Sequence, residues 1–135
     1  MTAARTMVAL VDDDRTYQFT TEHMLRRLDE QIGFRWFRDG EEAMKFLEMH
    51  IMDTSHLPDV IILDINMPYM DGWQFLDAFH AMKARIGKPI DIYMVSSSMD
   101  DRDAIRARSF EEVTDYVEKP ITTEKLAAML HRTQN

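Results

Sequence analysis

Asp59-Val60-Ile61-Ile62-Leu63-Asp64-Ile65-Asn66-Met67-Pro68-Tyr69-Met70-Asp71-Gly72 decides the fold. Val60 to Leu63 is an unbroken apolar run, mostly β-branched. It is too short for a helix and too apolar for a strand with one wet face, so it predicts a central parallel strand buried on both sides. The strand ends on a carboxylate, Asp64, and runs into a turn marked by Pro68 and Gly72. Open α/β sheets gather ligands beyond the carboxyl ends of their strands, which is where Asp64 stands. Alone, Asp64 reads more simply as a strand end or a cap for the next helix.

Met7 to Val11 is a second continuous apolar run, and it too meets acids, Asp12, Asp13 and Asp14. Tyr17, Thr21, Met24, Leu25 and Leu28 then recur at helical spacing, opposite Arg26, Arg27, Asp29 and Glu30. Phe34 to Phe37 carries a charge, as an edge strand does, and Asp39-Gly40 leads into a helix offering Ala43, Met44, Phe46, Leu47 and Ile51 to a core. His50 to Pro58 is a polar connection rich in turn residues. Gly72 opens a third helix with a Trp73, Leu76, Phe79 and Met82 stripe, broken at Gly87-Lys88-Pro89. Ile90 to Val95 is a fourth strand, ending in Ser96-Ser97-Ser98; the Ser98/Asp101 spacing is that of a capping box, with a helix from Asp100 to about Ser109. Tyr116-Val117 is a short last strand, and Thr122 to Arg132 a last helix with Leu126, Met129 and Leu130 facing inward.

Strands and helices alternate five times, which predicts an α/β fold: a doubly wound (βα)5 domain with one parallel sheet covered on both faces. The apolar runs put strands one, three and four inside and the more polar strands two and five at the edges. Right-handed crossovers then favour the order 2-1-3-4-5, the flavodoxin-like arrangement. The 135 residues suit a single domain, residues 1–135, with its own core.

Composition removes several classes of function. No cysteine is present, so disulfides, thiolate metal sites and thiol nucleophiles are excluded. A net charge of -8 argues against nucleic acid as a partner, because phosphate binding needs a basic face. Met1 to Ala9 lacks the long apolar region of a signal peptide. No stretch approaches the ~20 apolar residues of a membrane span. The expectation is a soluble cytoplasmic protein. Its twelve methionines fit adaptable core filling.

In a parallel sheet the residues after each strand share one rim. Strand one delivers Asp12 and Asp13, strand three Asp64, strand four Ser96 and strand five Lys119. Three carboxylates at close range raise one another's pKa unless a hard divalent cation neutralises them, and magnesium takes one or two carboxylates plus phosphate oxygens and water. An ionised carboxylate is also a nucleophile towards phosphorus. Magnesium, Ser96 and Lys119 would each serve one oxygen of a phosphoryl group in flight. The inventory matches phosphoryl transfer onto an aspartate.

Val11-Asp12-Asp13-Asp14, Leu63-Asp64-Ile65-Asn66-Met67-Pro68 with Met70-Asp71-Gly72, Met94-Val95-Ser96, and Tyr116-Val117-Glu118-Lys119-Pro120 resemble the signature set of two-component response-regulator receiver domains. The resemblance runs from the first strand to the last helix. It implies that Asp64 is the phospho-acceptor, taking its phosphoryl group from a histidine-kinase phosphohistidine. It implies that Asp13 ligates magnesium directly, Asp12 supports the ion largely through water, and the Asn66 backbone carbonyl completes the protein's share of the shell. Ser96 falls at the Ser/Thr switch position, Tyr116 at the switch aromatic, Lys119 at the family's lysine, and Lys119-Pro120 at a cis peptide. Ser97 departs from the more usual alanine or glycine but is still small. The long His50 to Pro58 connection is similar to that of stand-alone receivers serving bacteriophytochrome-type and other hybrid kinases.

The resemblance implies a signalling switch rather than an enzyme, one that catalyses only its own phosphorylation and dephosphorylation. Two other readings compete with it. A magnesium-dependent phosphatase or mutase with an aspartyl-phosphate intermediate usually carries an aspartate two residues after its nucleophile, where this chain has Asn66, and no cap insertion is evident. A binding-only pseudo-receiver typically lacks one of the acids or the lysine, and all are present here. The chain ends soon after Leu126, so the expectation is either a complete single-domain regulator or a piece of a longer chain. Its partners would be a sensor histidine kinase or histidine phosphotransfer protein. A homodimer or downstream protein would use the face of helix four, strand five and helix five, where Arg102, Arg106 and Arg108 mix with Asp101, Asp103, Glu111, Glu112 and Glu124.

Overall fold

A computed structural model describes residues 5–98 and 100–134. Five parallel strands, β1 (Met7–Val11), β2 (Gly33–Phe37), β3 (Val60–Asp64), β4 (Asp91–Ser96) and β5 (Val113–Glu118), form one sheet. Their order is β2-β1-β3-β4-β5, the flavodoxin-like arrangement. Helices α1 (Arg15–Leu28), α2 (Gly40–Met49), α3 (Gly72–Met82), α4 (Asp101–Arg108) and α5 (Thr123–Gln134) connect or follow the strands. A short 3₁₀ turn, Lys83–Arg85, ends α3.

The apolar runs take the interior because only there are both faces of a strand dry. All five residues of β3 are buried. Alternate side chains split between two cores: Ala9, Val11, Ile61, Leu63, Ile92 and Met94 pack towards Trp73, Leu76 and Phe79, whereas Val8, Leu10, Val60, Ile62 and Val95 pack towards Leu25, Leu126 and Met129. Each fully buried Leu or Ile contributes about 1.5–3 kcal/mol of transfer free energy, so this double layer fixes β3 and hence the place of Asp64.

Aspartates start four of the five helices. Asp14, Asp39, Asp71 and Asp100 each accept a backbone N–H of the first turn, which satisfies donors that have no partner within the helix. Asp71 and Gln74 form a reciprocal capping box. Gly72 follows because α3 passes directly over the end of β3. A Cβ on residue 72 would stand 2.7 Å from the Asp64 carbonyl oxygen.

Several expectations are corrected. The cap of α4 is Asp100, whose carboxylate accepts from Arg102 N at 2.8 Å, and not Ser98. The Ser98 carbonyl is engaged elsewhere, by Ser96 and Tyr116. The last strand begins three residues before Tyr116, at Val113. Its outer residues are polar because β5 is an edge. Phe75, outside the expected stripe of α3, is fully buried, since that helix also packs against α2. Glu111 and Glu112 do not belong to the α4-β5-α5 face. Glu112 is buried beside His80 and Lys83, with Glu111 on the same lysine. The Lys119–Pro120 peptide is cis, as the resemblance implies. Among the described residues, no helix is long and apolar enough to cross a membrane. The reading of Met1 to Ala9 lies partly outside the described residues, which exclude 1–4.

Candidate functional site

Strand register brings the expected residues level. Val11 pairs with Leu63, so Asp12 follows beside Asp64, and Asp64 pairs with Val95, so Ser96 lies one step on. Two backbone hydrogen bonds extend these ladders into the loops: Ile65 N to Val95 O at 3.1 Å and Lys119 N to Ser96 O at 2.8 Å. The rim is therefore held by main chain, and its side chains are positioned without needing to bind one another.

Asp12, Asp13 and Asp64 offer carboxylate oxygens that all lie within 4.8 Å of one another. Asp12 and Asp64 are buried, whereas Asp13 and Asn66 are exposed. Lys119 Nζ stands 2.7 Å from Asp12 Oδ2 and 3.5 Å from Asp64 Oδ1. The closer contact is an ion pair that is not aligned as a hydrogen bond, which leaves Asp12 Oδ2 buried without a hydrogen-bond donor. Asp12 Oδ1 accepts from Asp14 N at 2.9 Å.

One ammonium does not compensate this many acids. Burial raises the Asp64 carboxyl to about 6, and the neighbouring Asp12 charge adds to the effect against Lys119. Burial also raises Asp12, opposed by Lys119. Burial would lower Lys119, but the two carboxylates outweigh it and the net shift is upward. A buried, undonated carboxylate oxygen in an all-oxygen cluster fits a hard divalent cation such as magnesium. The donor set excludes a thiophilic metal by its chemistry.

Ser96 Oγ donates to Ser98 O at 3.0 Å and accepts from Ser98 N at 3.2 Å. Tyr116 lies inward, 8 % exposed, and its hydroxyl donates to the same Ser98 carbonyl at 3.2 Å. The ring at the switch-aromatic position is therefore turned inward in this structure. Ser97 is exposed.

Two aromatic residues escaped the sequence reading. Tyr17 supplies a ring 4.5 Å below Lys119 Nζ, a cation–π contact that holds the ammonium over the carboxylates. Trp36 Nε1 donates to the Asp12 carbonyl at 2.6 Å and fixes the loop after β1 from the edge strand. Tyr17 was legible only as part of the apolar stripe of α1. Nothing in the sequence pairs Trp36 with Asp12.

Comparisons with known proteins agree with this geometry. The family described as "Response regulator receiver domain" matches residues 8–131. A probable chemotaxis protein CheY of Rhizobium etli is 28% identical over 131 residues, covering 95% of this chain and 92% of that protein. The transcriptional regulatory protein PrrA of Mycobacterium tuberculosis is 33% identical over 121 residues, 90% of this chain but 46% of PrrA. The chain thus spans about half the length of PrrA, and 76% of the probable methanogenesis regulatory protein FilR2 of Methanothrix harundinacea. Among solved structures, a two-component response regulator from Cytophaga hutchinsonii superposes with a TM-score of 0.87 at 27% identity, covering 98% of this chain and 99% of that one. With a family match that takes in all five strands and the whole candidate site, the chain belongs to the response-regulator receiver domains of two-component signalling.

Proposed function

We propose that the 135 residues form one receiver domain that accepts a phosphoryl group onto Asp64 from a phosphohistidine, with magnesium, and works as a conformational switch. The observation that carries this reading is the convergence of Asp64 with Asp12, Asp13 and Lys119 at the end of the central strand. Asp12, Asp13 and Asp64 would hold the ion with the Asn66 carbonyl. When bound, magnesium neutralises the acids and draws charge from the phosphoryl oxygens.

The chain's own groups do the rest. An Asp64 carboxylate oxygen attacks phosphorus; the P–N bond of the donor breaks and its electron pair returns to the imidazole. Lys119, steered by Tyr17, moves from pairing carboxylates to pairing a phosphoryl oxygen. The Ser96 hydroxyl leaves the Ser98 carbonyl and donates to another oxygen. Tyr116 then becomes the remaining side-chain donor on Ser98 O, so a hydrogen bond exchanged at one carbonyl links Asp64 to β5. The result is a shifted population of β4–α4 loop conformations rather than a new fold.

The donor in this proposal is a sensor histidine kinase or histidine phosphotransfer protein in the cytoplasm. Output leaves through the α4-β5-α5 face to a downstream protein or a second copy, where exposed Ile105 stands among Asp101, Arg102 and Arg108. That mixture of signs is not a nucleic-acid footprint. Incubation with acetyl phosphate and magnesium, followed by intact mass, tests the reading. One added phosphoryl group, dependent on magnesium, is expected; an unchanged mass overturns it.

A further inference from the structure

Three clusters of ligating side chains occur among the described residues: Asp12, Asp13 and Asp64; His80, Glu111 and Glu112; and His50, Asp53 and His56. The first is the site above. The second already has a cation, because Lys83 Nζ lies 2.7 Å from Glu112 Oε2 and also contacts Glu111. A metal there would have to displace a tethered ammonium. In the third, no lysine or arginine pairs with Asp53 among the described residues, and its donors are of another kind. Two imidazoles and one carboxylate suit zinc and its neighbours, not magnesium or calcium.

The chain builds this third cluster by local turns. α2 ends at Met49, and His50 caps it, its N–H donating to Phe46 O at 3.2 Å. Two tight turns follow in succession: Asp53 N donates to His50 O at 2.9 Å and His56 N to Asp53 O at 3.1 Å. Each turn advances three residues, and a three-residue period eclipses side chains, so residues 50, 53 and 56 share one side. The far end is pinned. Leu57 is fully buried, and Lys88 Nζ donates to its carbonyl at 3.0 Å while its charge is met by Asp59 at 2.7 Å.

The side chains are already close. The His50 ring rests on Phe46 at 4.4 Å and stacks on His56 at 4.9 Å. Arg35 lies over Phe46 as well, 4.6 Å from its ring centre. His56 Nδ1 is 2.6 Å from Asp53 Oδ2, and Ser55 Oγ donates to Asp53 Oδ1 at 2.6 Å, an outer hydrogen bond of the kind that orients a ligating carboxylate.

We infer that His50, Asp53 and His56 form a binding site for one divalent transition-metal ion of the zinc class, with water in the remaining positions. One ligand atom from each residue lies within 4.8 Å of the other two. Metal bonds of about 2.0–2.2 Å put the ligand atoms of a tetrahedral site about 3.3–3.6 Å apart, so the 2.6 Å His56–Asp53 pair opens slightly while the wider separations close. The two rings are inclined by only 18°, so one must turn for their nitrogens to converge. His56, whose side chain is 55% exposed, is free to do so. Entry of the metal replaces the His56–Asp53 hydrogen bond with two bonds to the ion. The site precedes β3 and so lies on the rim opposite Asp64, and it goes beyond the phosphoryl chemistry above.

The experiment is calorimetric titration of zinc chloride into the metal-free full chain, with excess magnesium present to fill the carboxylate cluster. Cobalt absorption serves as a second readout of nitrogen ligation. One zinc per chain is expected. His56→Gln and Asp53→Asn should each weaken it by roughly tenfold or more, whereas His23→Gln and His131→Gln should not. Equal melting temperatures without metal establish that the variants fold. Undiminished binding in both site variants, no saturable binding at all, or one zinc per two chains would each overturn the inference.

Discussion

Replacing Asp64 by Asn should stabilise the metal-free protein, although it removes the proposed acceptor. The Asp64 carboxyl is raised from 3.8 to about 6, first by burial and then by the Asp12 charge. A carboxyl raised that far carries a penalty of about 3 kcal/mol as the anion. Loss of the 3.5 Å contact with Lys119 offsets part of the gain, so a net increase of about 1–3 kcal/mol is expected near neutral pH. The sign follows from proton counts. Between 3.8 and about 6 the folded chain holds a proton on Asp64 that the unfolded chain has lost, so wild-type stability falls as pH rises through this window and levels off above it. The amide has no such proton, and the advantage of the variant should shrink as pH falls towards 4. Urea unfolding in a chelator, followed by the fluorescence of Trp36 and Trp73, measures both curves. A variant no more stable than wild type at neutral pH, or a gap that ignores pH, refutes the reasoning.

Asp13→Ala should weaken magnesium binding strongly while leaving stability without metal within about 0.5 kcal/mol, since Asp13 is exposed; titration followed by amide shifts of residues 12–14 and 64–66 checks it. Ser96→Ala should leave the chain phosphorylatable but mute the spectral response of β5 and α4 to beryllofluoride, because the exchange at the Ser98 carbonyl is lost. Gly72→Ala should destabilise by about 1–3 kcal/mol, as its Cβ would meet backbone at 2.7 and 2.9 Å and push Asp64 out of line; thermal melting and phosphorylation rate should fall together.

The sheet was legible because burial on both faces leaves a plain mark: Val8, Leu10, Ile62 and Met94 had no place but the interior. The rim followed from strand order, since residues ending parallel strands must share an edge, and Asp12, Asp64, Ser96 and Lys119 do. What escaped reading depends on rotamers and on contacts between distant segments. The spacing of Ser98 and Asp101 matched a cap, but the backbone of Ser98 serves Tyr116 and Ser96, and the cap passes to Asp100. Glu112 looked like surface charge; its burial becomes evident only when α3 brings Lys83 and His80 against it. Tyr17 carried the same apolar signal whether it faced a core or a lysine.

The most direct test of the central claim is where the phosphoryl group goes. The chain is treated with acetyl phosphate and magnesium, then reduced with borohydride, which converts an aspartyl phosphate to homoserine, and its peptides are sequenced by mass. The account predicts homoserine at position 64 and nowhere else, and none in Asp64→Asn. Label at Asp12, Asp13 or any other residue, or undiminished label in that variant, would contradict it.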